Sequence, residues 1–413
     1  MASGRLIFHI DVNSAFLSWE AARRVSRGES DLRLIPSAIG GDPERRTGII
    51  LAKSIPAKKM GVKTGEPIGM ALRKCPELVL ARPDFRLYEK NSRAFMDICR
   101  EYAPVVEKYS IDECFLDMSG TSTIYPDPIA TAHEIKNKIR DTLGFTVNVG
   151  IGSNKLLAKM ASDFEKPDKV HTLFTHEIEE KMWKLPIREL FTVGAATADR
   201  LEAAGIKTIG DLARRELRSV QYTVGKKLGE QIHRFANGID DSPVLQHHDE
   251  AKGYGNSTTL SQDVTDKESA HRVLLALCDS VASRMRADGA TASCMSVTIR
   301  TADFRDRSHQ RHFDMDTDIT DEIYALSKKL LSELWDYHTP LRLIGVSLTD
   351  VSREGNEQLS IFGNEKRSKA RAVDKAVDKI RGKYGSDTIV RGSSYKSELN
   401  VGKKHKAQLD EKK

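Results

Sequence analysis

The sequence predicts an α+β chain of several domains, on three observations. Its 413 residues are too many for one hydrophobic core. Short runs that alternate apolar and polar residues, the strand period, stand between stretches with their apolar residues on one helical face. Residues 169–241 carry helical patterning alone, whereas strand and helix patterns alternate again beyond residue 253, so the chain changes character along its length.

The composition is that of an ordinary soluble protein, with 39% hydrophobic and 30% charged residues. A net charge of +6 mildly favours a polyanionic partner. The five cysteines, Cys75, Cys99, Cys114, Cys278 and Cys294, form no C-x-x-C pair, which indicates neither a zinc site nor a disulfide framework. No leader pattern opens the sequence, and no apolar run approaches membrane-spanning length. A reduced, cytoplasmic protein with no membrane partner is expected.

Taken in order, residues 5–10 form a short apolar run that delivers Asp11 to the end of a strand, with Asn13 or Ser14 placed to cap a helix over 14–22. Residues 30–80 are rich in turns and basic groups, with a tight turn at 40–43 and a strand at 49–52. Leu87, Phe95, Ile98 and Cys99 predict an amphipathic helix over 84–102, and Ala132, Ile135 and Ile139 predict another over 128–143. Phe145, Val147, Val149 and Ile151 alternate as a strand. A capped helix follows over 152–163, with Lys155 and Lys159 one turn apart. Beyond a linker at 242–252, strands are expected from residue 253, at 295–301 and at 341–348, with helices over 267–288 and 321–335. Between these elements lie Arg305, Arg307, His309, Arg311 and His312, some of them expected on phosphates and some paired with nearby acids. Residues 366–384 read as a basic helix, followed by a Lys-rich end.

The stretch 105–118, VVEKYSIDECFLDM, is the centre of the chain. Both halves alternate at the strand period, and Ser110, Ile111, Asp112 and Glu113 lie between them as a hairpin tip. Neighbouring side chains on a regular strand point to opposite faces, so Asp112 and Glu113 serve one site only if the chain turns there. A charged hairpin tip would explain the pair as well as metal ligation would, until Asp11 is considered. Three carboxylates at the ends of adjacent strands would make a cage of hard oxygen ligands, the kind that Mg²⁺ takes beside a phosphate substrate.

Asp11-Val12-Asn13 with Phe16 beyond it, followed about a hundred residues later by Tyr109-Ser110-Ile111-Asp112-Glu113 and Phe115-Leu116-Asp117, resembles the palm of a Y-family translesion DNA polymerase. The resemblance extends through nearly the whole chain. It implies a right-hand polymerase with a ferredoxin-like palm (1–28 and 81–168), small fingers (29–80), a helix-hairpin-helix thumb (169–241), a linker (242–252), an α/β little finger (253–355) and a tail (356–413). It also implies DNA-templated synthesis past damaged template, with low fidelity and no proofreading. Primer-template DNA and dNTP would be the partners, and a monomer is expected.

The residue roles implied by the resemblance are these. Asp11, Asp112 and Glu113, with the Val12 carbonyl, would hold two Mg²⁺ ions. Ser14, Ala15 and Phe16 would line the nucleotide, with Phe16 as the steric gate that excludes a 2′-hydroxyl. Lys58 and Lys159 would meet the triphosphate, with Lys155 as support. Ser110 would orient the hairpin, and Asp117 would be structural. Val193, Gly194 and Ala195 resemble the DNA-binding turn of a helix-hairpin-helix, although Thr192 replaces its usual first glycine. Gln358, Leu359, Ser360, Ile361 and Phe362 resemble the peptide that bacterial polymerases insert into the sliding clamp.

The chain departs from the commoner family pattern at Asn13, Ile55 and Lys58, where many members carry Asp, Tyr and Arg. Lys supplies a point charge in place of the planar fork of Arg, and the combination resembles a polymerase V-like branch more than the polymerase IV branch. Two other classes compete with a polymerase. A non-catalytic, clamp-tethered DNA-binding protein would have lost an acid, and a palm-type nucleotidyl cyclase would not need the DNA-gripping segments.

Overall fold

A five-stranded sheet organises the first half of the molecule. The structure, a computed structural model, describes residues 4–41, 48–246, 250–353, 364–385 and 388–392. It divides into two compact units, one before residue 249 and one from residue 249 onward.

The first unit opens with strand β1 (Ile7–Val12) and helix α1 (Ala15–Ser26). The fingers region follows as β2 (Ser37–Gly40), β3 (Ile50–Lys53), the short helices α2 (Ile55–Lys59) and α3 (Ile68–Lys74), and β4 (Val79–Ala81). The chain then returns through α4 (Phe85–Arg100), the hairpin β5 (Val105–Lys108) and β6 (Glu113–Asp117), α5 (Pro128–Leu143), β7 (Val147–Gly152), α6 (Lys155–Asp163) and β8 (Val170–Leu173). Four thumb helices complete the unit: α7 (Ala195–Ala203), α8 (Ile209–Arg214), α9 (Leu217–Val224) and α10 (Lys226–Ala236).

The large sheet has the order β5-β6-β1-β7-β8, and its first four strands carry the ferredoxin-like arrangement. β8 runs parallel to β7 at the edge, so residues 170–173, expected to open the thumb, belong to the palm sheet. Strands β1 and β7 are buried along their whole length, which requires cover on both faces. Phe8, Ile10 and Val12 join α1, α4 and α5 in one core, while Ile7 and Phe115 pack against Ala158 of α6. Helix α6 therefore covers the face of the sheet opposite α1, α4 and α5. The α6 residues Leu156, Leu157 and Met160 also share a core with the thumb helices. The fingers form a separate three-stranded sheet, β3-β2-β4, with its own small core.

The second unit runs β9 (Gly253–Val264), α11 (Lys267–Ala287), β10 (Thr291–Thr301), β11 (Asp306–Thr317), α12 (Thr320–Leu334) and β12 (Leu341–Ser352). Its antiparallel sheet has the order β11-β10-β12-β9. Met295, Val297, Ile299 and Leu348 share a core with α11 and α12, and the opposite face of the sheet alternates polar residues, as expected for a sheet packed on one side. A last helix, α13 (Asn364–Tyr384), matches the basic helix read from the sequence. No helix among the described residues is long and apolar enough to cross a membrane.

Candidate active site

Strand register builds the site. β1 pairs antiparallel with β6 so that Asp11 lies directly opposite Glu113, and the Val12 amide donates to the Asp112 carbonyl at 3.0 Å. Directly opposed residues on antiparallel strands share a face, which here is the face that α6 covers. The connecting turn adds the third acid. The Tyr109 and Ser110 amides both donate to the Glu113 carbonyl, the Ser110 hydroxyl donates to Asp112 Oδ1 at 2.7 Å, and the Asp112 amide donates to Ser110 Oγ at 3.2 Å. The register thus sets Asp11 beside Glu113 at one end of the sheet, and the turn places Asp112 next to Glu113 with its side chain held by Ser110. Asp117 lies at the other end of β6 and accepts the Ser119 amide at 2.9 Å.

Helix α6 brings cations to these acids because two glycines let it approach. A Cβ on Gly150 would overlap the Ala158 carbonyl oxygen, and one on Gly152 would lie 2.6 Å from the Ala158 nitrogen. Asn154 caps the helix by accepting the Leu157 amide. Lys159 then reaches Glu113 Oε1 at 2.9 Å and Asp11 Oδ2 at 3.4 Å. Lys155, one turn earlier, points elsewhere and donates to both oxygens of Glu107 at 2.7 Å.

A second lysine at the acids was not foreseen. Lys166 places its ammonium 2.9 Å from Asp11 Oδ2 and 2.8 Å from Asp163 Oδ1. Its loop is tied to the sheet by a buried amide pair. Asn13 donates to Asn148 Oδ1 at 3.1 Å and accepts from the Thr146 hydroxyl and the Asp168 amide. Asn148 in turn donates to the Ser162 and Glu165 carbonyls. An Asp at position 13, common in the family pattern, could not make the donation to Asn148. In the sequence, Lys166 falls in the break between the helix over 152–163 and the helical patterning that begins at 169, and no periodic pattern signals its reach.

The electrostatics follow from burial and these contacts. Burial pushes the Asp11 carboxyl up to about 6, against the pull of Lys166 and Lys159. Burial also works against ionised Glu113, yet His9 and Lys159 hold it below the usual carboxylate range. Lys159 is buried too, but Asp11, Asp163 and Glu113 raise it above the ordinary ammonium value. Burial lowers His9 to about 4, so its ring is neutral beneath the acids, with Nδ1 2.8 Å from the Ser162 hydroxyl.

Ser14 begins α1 in the left-handed region, at φ 47°, and its side chain makes no cap. This differs from the expected Asn13 or Ser14 cap: the residue serves as a bend that turns the chain from β1 into α1. Ala15 is buried. Phe16 is half-buried and stacks on Tyr88 at 4.5 Å and 18°, with Phe85 edge-on to it at 6.0 Å. Lys58 is exposed on α2, whose first turn Ser54 caps. Burial and the nearby Lys58 charge lower the Lys53 ammonium.

In the thumb, Thr192 adopts φ 75°, the conformation its missing glycine would supply. Gly194 precedes α7, and no side chain caps the amides of the helix's first turn, which starts at Ala195. Val193 is buried in the thumb core, so only its backbone is available for contact. In the second unit, Arg311 and His309 turn to Glu333, Arg300 pairs with Asp306, and Arg305 pairs with Asp303. Residues 358–362, the clamp-like peptide of Gln358, Leu359, Ser360, Ile361 and Phe362, lie outside the described residues.

Comparison with known proteins gives a consistent set of likenesses. The impB/mucB/samB family matches residues 10–163, the C-terminal domain of that family matches 251–361, and the thumb domain of DNA polymerase-iota matches 188–240. The chain is 43% identical to a DNA polymerase IV of Clostridium acetobutylicum over 388 residues, covering 94% of this chain and 97% of that one. It is 38% identical to a DNA polymerase IV of Clostridium kluyveri over 405 residues, covering 96% and 100%. It is also 36% identical to DNA polymerase IV 1 of Bacillus subtilis over 398 residues, covering 95% and 94%. All three relatives bear the name DNA polymerase IV. A solved Y-family DNA polymerase chimera shares the fold, with a TM-score of 0.71 at 23% identity, covering 84% of this chain and 99% of that one.

Proposed function

The chain belongs to the Y-family DNA polymerases of the impB/mucB/samB type, and on that premise we propose that its acid cluster is the centre of translesion DNA synthesis. It is a DNA polymerase that extends a primer past damaged template. The observation that carries the site assignment is the pairing of β1 with the hairpin, which sets Asp11 opposite Glu113 and ties Val12 to Asp112.

Asp11, Asp112 and Glu113, with the Val12 carbonyl, offer only hard oxygen donors, a set that fits Mg²⁺. A pair of Mg²⁺ ions, when bound, supplies positive charge for deprotonating the primer 3′-hydroxyl and for the developing charge on the triphosphate. Lys159 and Lys166 hold ammonium groups at the edge of the cluster, where they meet triphosphate oxygens as point charges. Lys58 adds charge from the fingers. Phe16, fixed against Tyr88, closes the space beside the sugar. The α7 first turn and Gly194 offer backbone amides to a DNA phosphate, which grips without reading sequence. DNA and dNTP are the partners, and residues 358–362 form a clamp tether.

Primer extension on undamaged and lesion-bearing templates, with Mg²⁺ and dNTPs, tests this reading. Extension across at least one lesion is expected, with pyrophosphate released at each step. Phe16→Ala is expected to admit ribonucleotides. A folded protein that extends no primer under any template condition would leave a DNA-binding or cyclase role instead.

A further inference from the structure

The second unit holds a cluster of three metal-ligating side chains apart from the acids of the palm. Cys294 on β10, His312 on β11 and Asp350 on β12 bring a thiol sulfur, a ring nitrogen and a carboxylate oxygen within 4.8 Å of one another. Cys294 is the cross-strand neighbour of His312 on one side and of Thr349 on the other. Its chain neighbour Met295 points into the helix-backed core, as does Leu348 on β12. Cys294 therefore stands on the face away from α11 and α12, at the irregularity where the β10–β11 register shifts between Ala292 and Cys294. Asp350 departs from regular strand geometry too, at φ 52°.

We propose that Cys294, His312 and Asp350 bind a zinc-class divalent cation. The donor set is the argument. A thiolate, an imidazole and a carboxylate are the ligands zinc takes in protein sites, whereas Mg²⁺ takes oxygen donors alone. Ligand atoms in a tetrahedral zinc site lie about 3.5 Å apart, so the three groups close on an ion by moving about 1 Å. His312 and Asp350 are exposed and free to make that movement, while Cys294 is 2% exposed. Among the described residues, none of the three side chains makes a hydrogen bond or ion pair with another group, so no internal partner competes with the cation. Three protein ligands leave a fourth position for water or an oxygen of a bound molecule, the open form of a zinc site. Sequence spacing hides the site because its ligands come one from each of three neighbouring strands.

Cobalt(II) titration of the metal-stripped, reduced full-length chain tests the proposal. A thiolate-to-cobalt charge-transfer band in the near ultraviolet is expected to saturate at one equivalent and to be displaced by Zn²⁺ but not by excess Mg²⁺. Cys294→Ser removes the band, His312→Ala and Asp350→Asn each weaken binding roughly tenfold or more, and Asp112→Ala leaves the band unchanged. His312 is exposed on a strand, so His312→Ala keeps the fold, and an unchanged circular dichroism spectrum checks this for every variant. No charge-transfer band at stoichiometric cobalt, or a band that survives Cys294→Ser, overturns the proposal.

Discussion

Helix α6 of the palm and helix α13 of the second unit are docked by opposite means. Glycines under α6 let its backbone settle onto β7, and apolar side chains seal its flanks. Among the described residues, α13 contributes none to the apolar clusters. It is held by charge instead. Arg286 donates to Asp378 at 2.6 Å and lies 3.3 Å from Asp374, and Arg371, Arg367 and Arg381 pair with Asp318, Glu322 and Asp279. A helix packed by close backbone approach can hold a lysine at a fixed height over the acids of the sheet. A helix packed by ion pairs can leave without disturbing an apolar core.

The largest effect is expected where α6 has no room. Gly150→Ala would drive a methyl into the Ala158 carbonyl and cost at least about 3 kcal/mol, read as a fall in the thermal or denaturant midpoint. Arg286→Ala comes next. The Arg286 side chain is 4% exposed, and its loss takes from Asp378 the cation at 2.6 Å and leaves Asp374 with Arg391 at 3.2 Å, at about 3 kcal/mol. The measurable result is fast hydrogen exchange in α13 with the palm amides still protected. Added salt should loosen α13 in the same direction and leave α6 unmoved, since partly exposed pairs are screened and backbone packing is not.

The two lysines of α6 separate position from chemistry. Lys159→Ala is expected to cost about 2 kcal/mol in nucleotide incorporation. Lys155→Ala should lower the melting temperature and leave incorporation near the wild-type rate, because it leaves the carboxylate of Glu107 buried with, among the described residues, only the Leu245 amide as donor. Equal effects of both variants on incorporation would remove the distinction drawn here. The smallest effect is expected in the thumb. Thr192→Gly relieves a left-handed β-branched residue, worth about 1–2 kcal/mol, and gives back part of that through the entropy of the unfolded chain. A gain of about 0.5–1 kcal/mol in stability remains.

What the sequence disclosed follows the same division. The hairpin and its acids were legible because strand alternation and a turn are local patterns, and Asp11 belonged to a strand that ended where a helix began. The amphipathic helices α4 and α5 and the cap of α6 were legible for the same reason. Cover on the second face of the palm was not, because α6 follows β7 directly and its apolar residues serve the sheet and the thumb together. Lys166 stayed hidden because its position depends on Asn13 and Asn148, which lie 135 residues apart and leave no periodic trace. The docking of α13 was also hidden: the stretch read only as a basic helix, and the acid partners of its arginines lie on other elements of the unit. Thr192 shows the converse case, in which a sequence departure from a motif left the backbone conformation intact.

The most direct test of the acid cluster is the single-turnover rate of one dNMP addition to a primer by Asp112→Ala, measured in Mg²⁺ beside the wild-type chain. Asp112 is half-buried at a turn, so the variant should fold and melt as the wild type does. The expected result is a loss of roughly 10³-fold or more with DNA still bound. A folded Asp112→Ala protein that adds the nucleotide at the wild-type rate would contradict the account, because the β1–β6 register would then have brought the acids together for some other purpose.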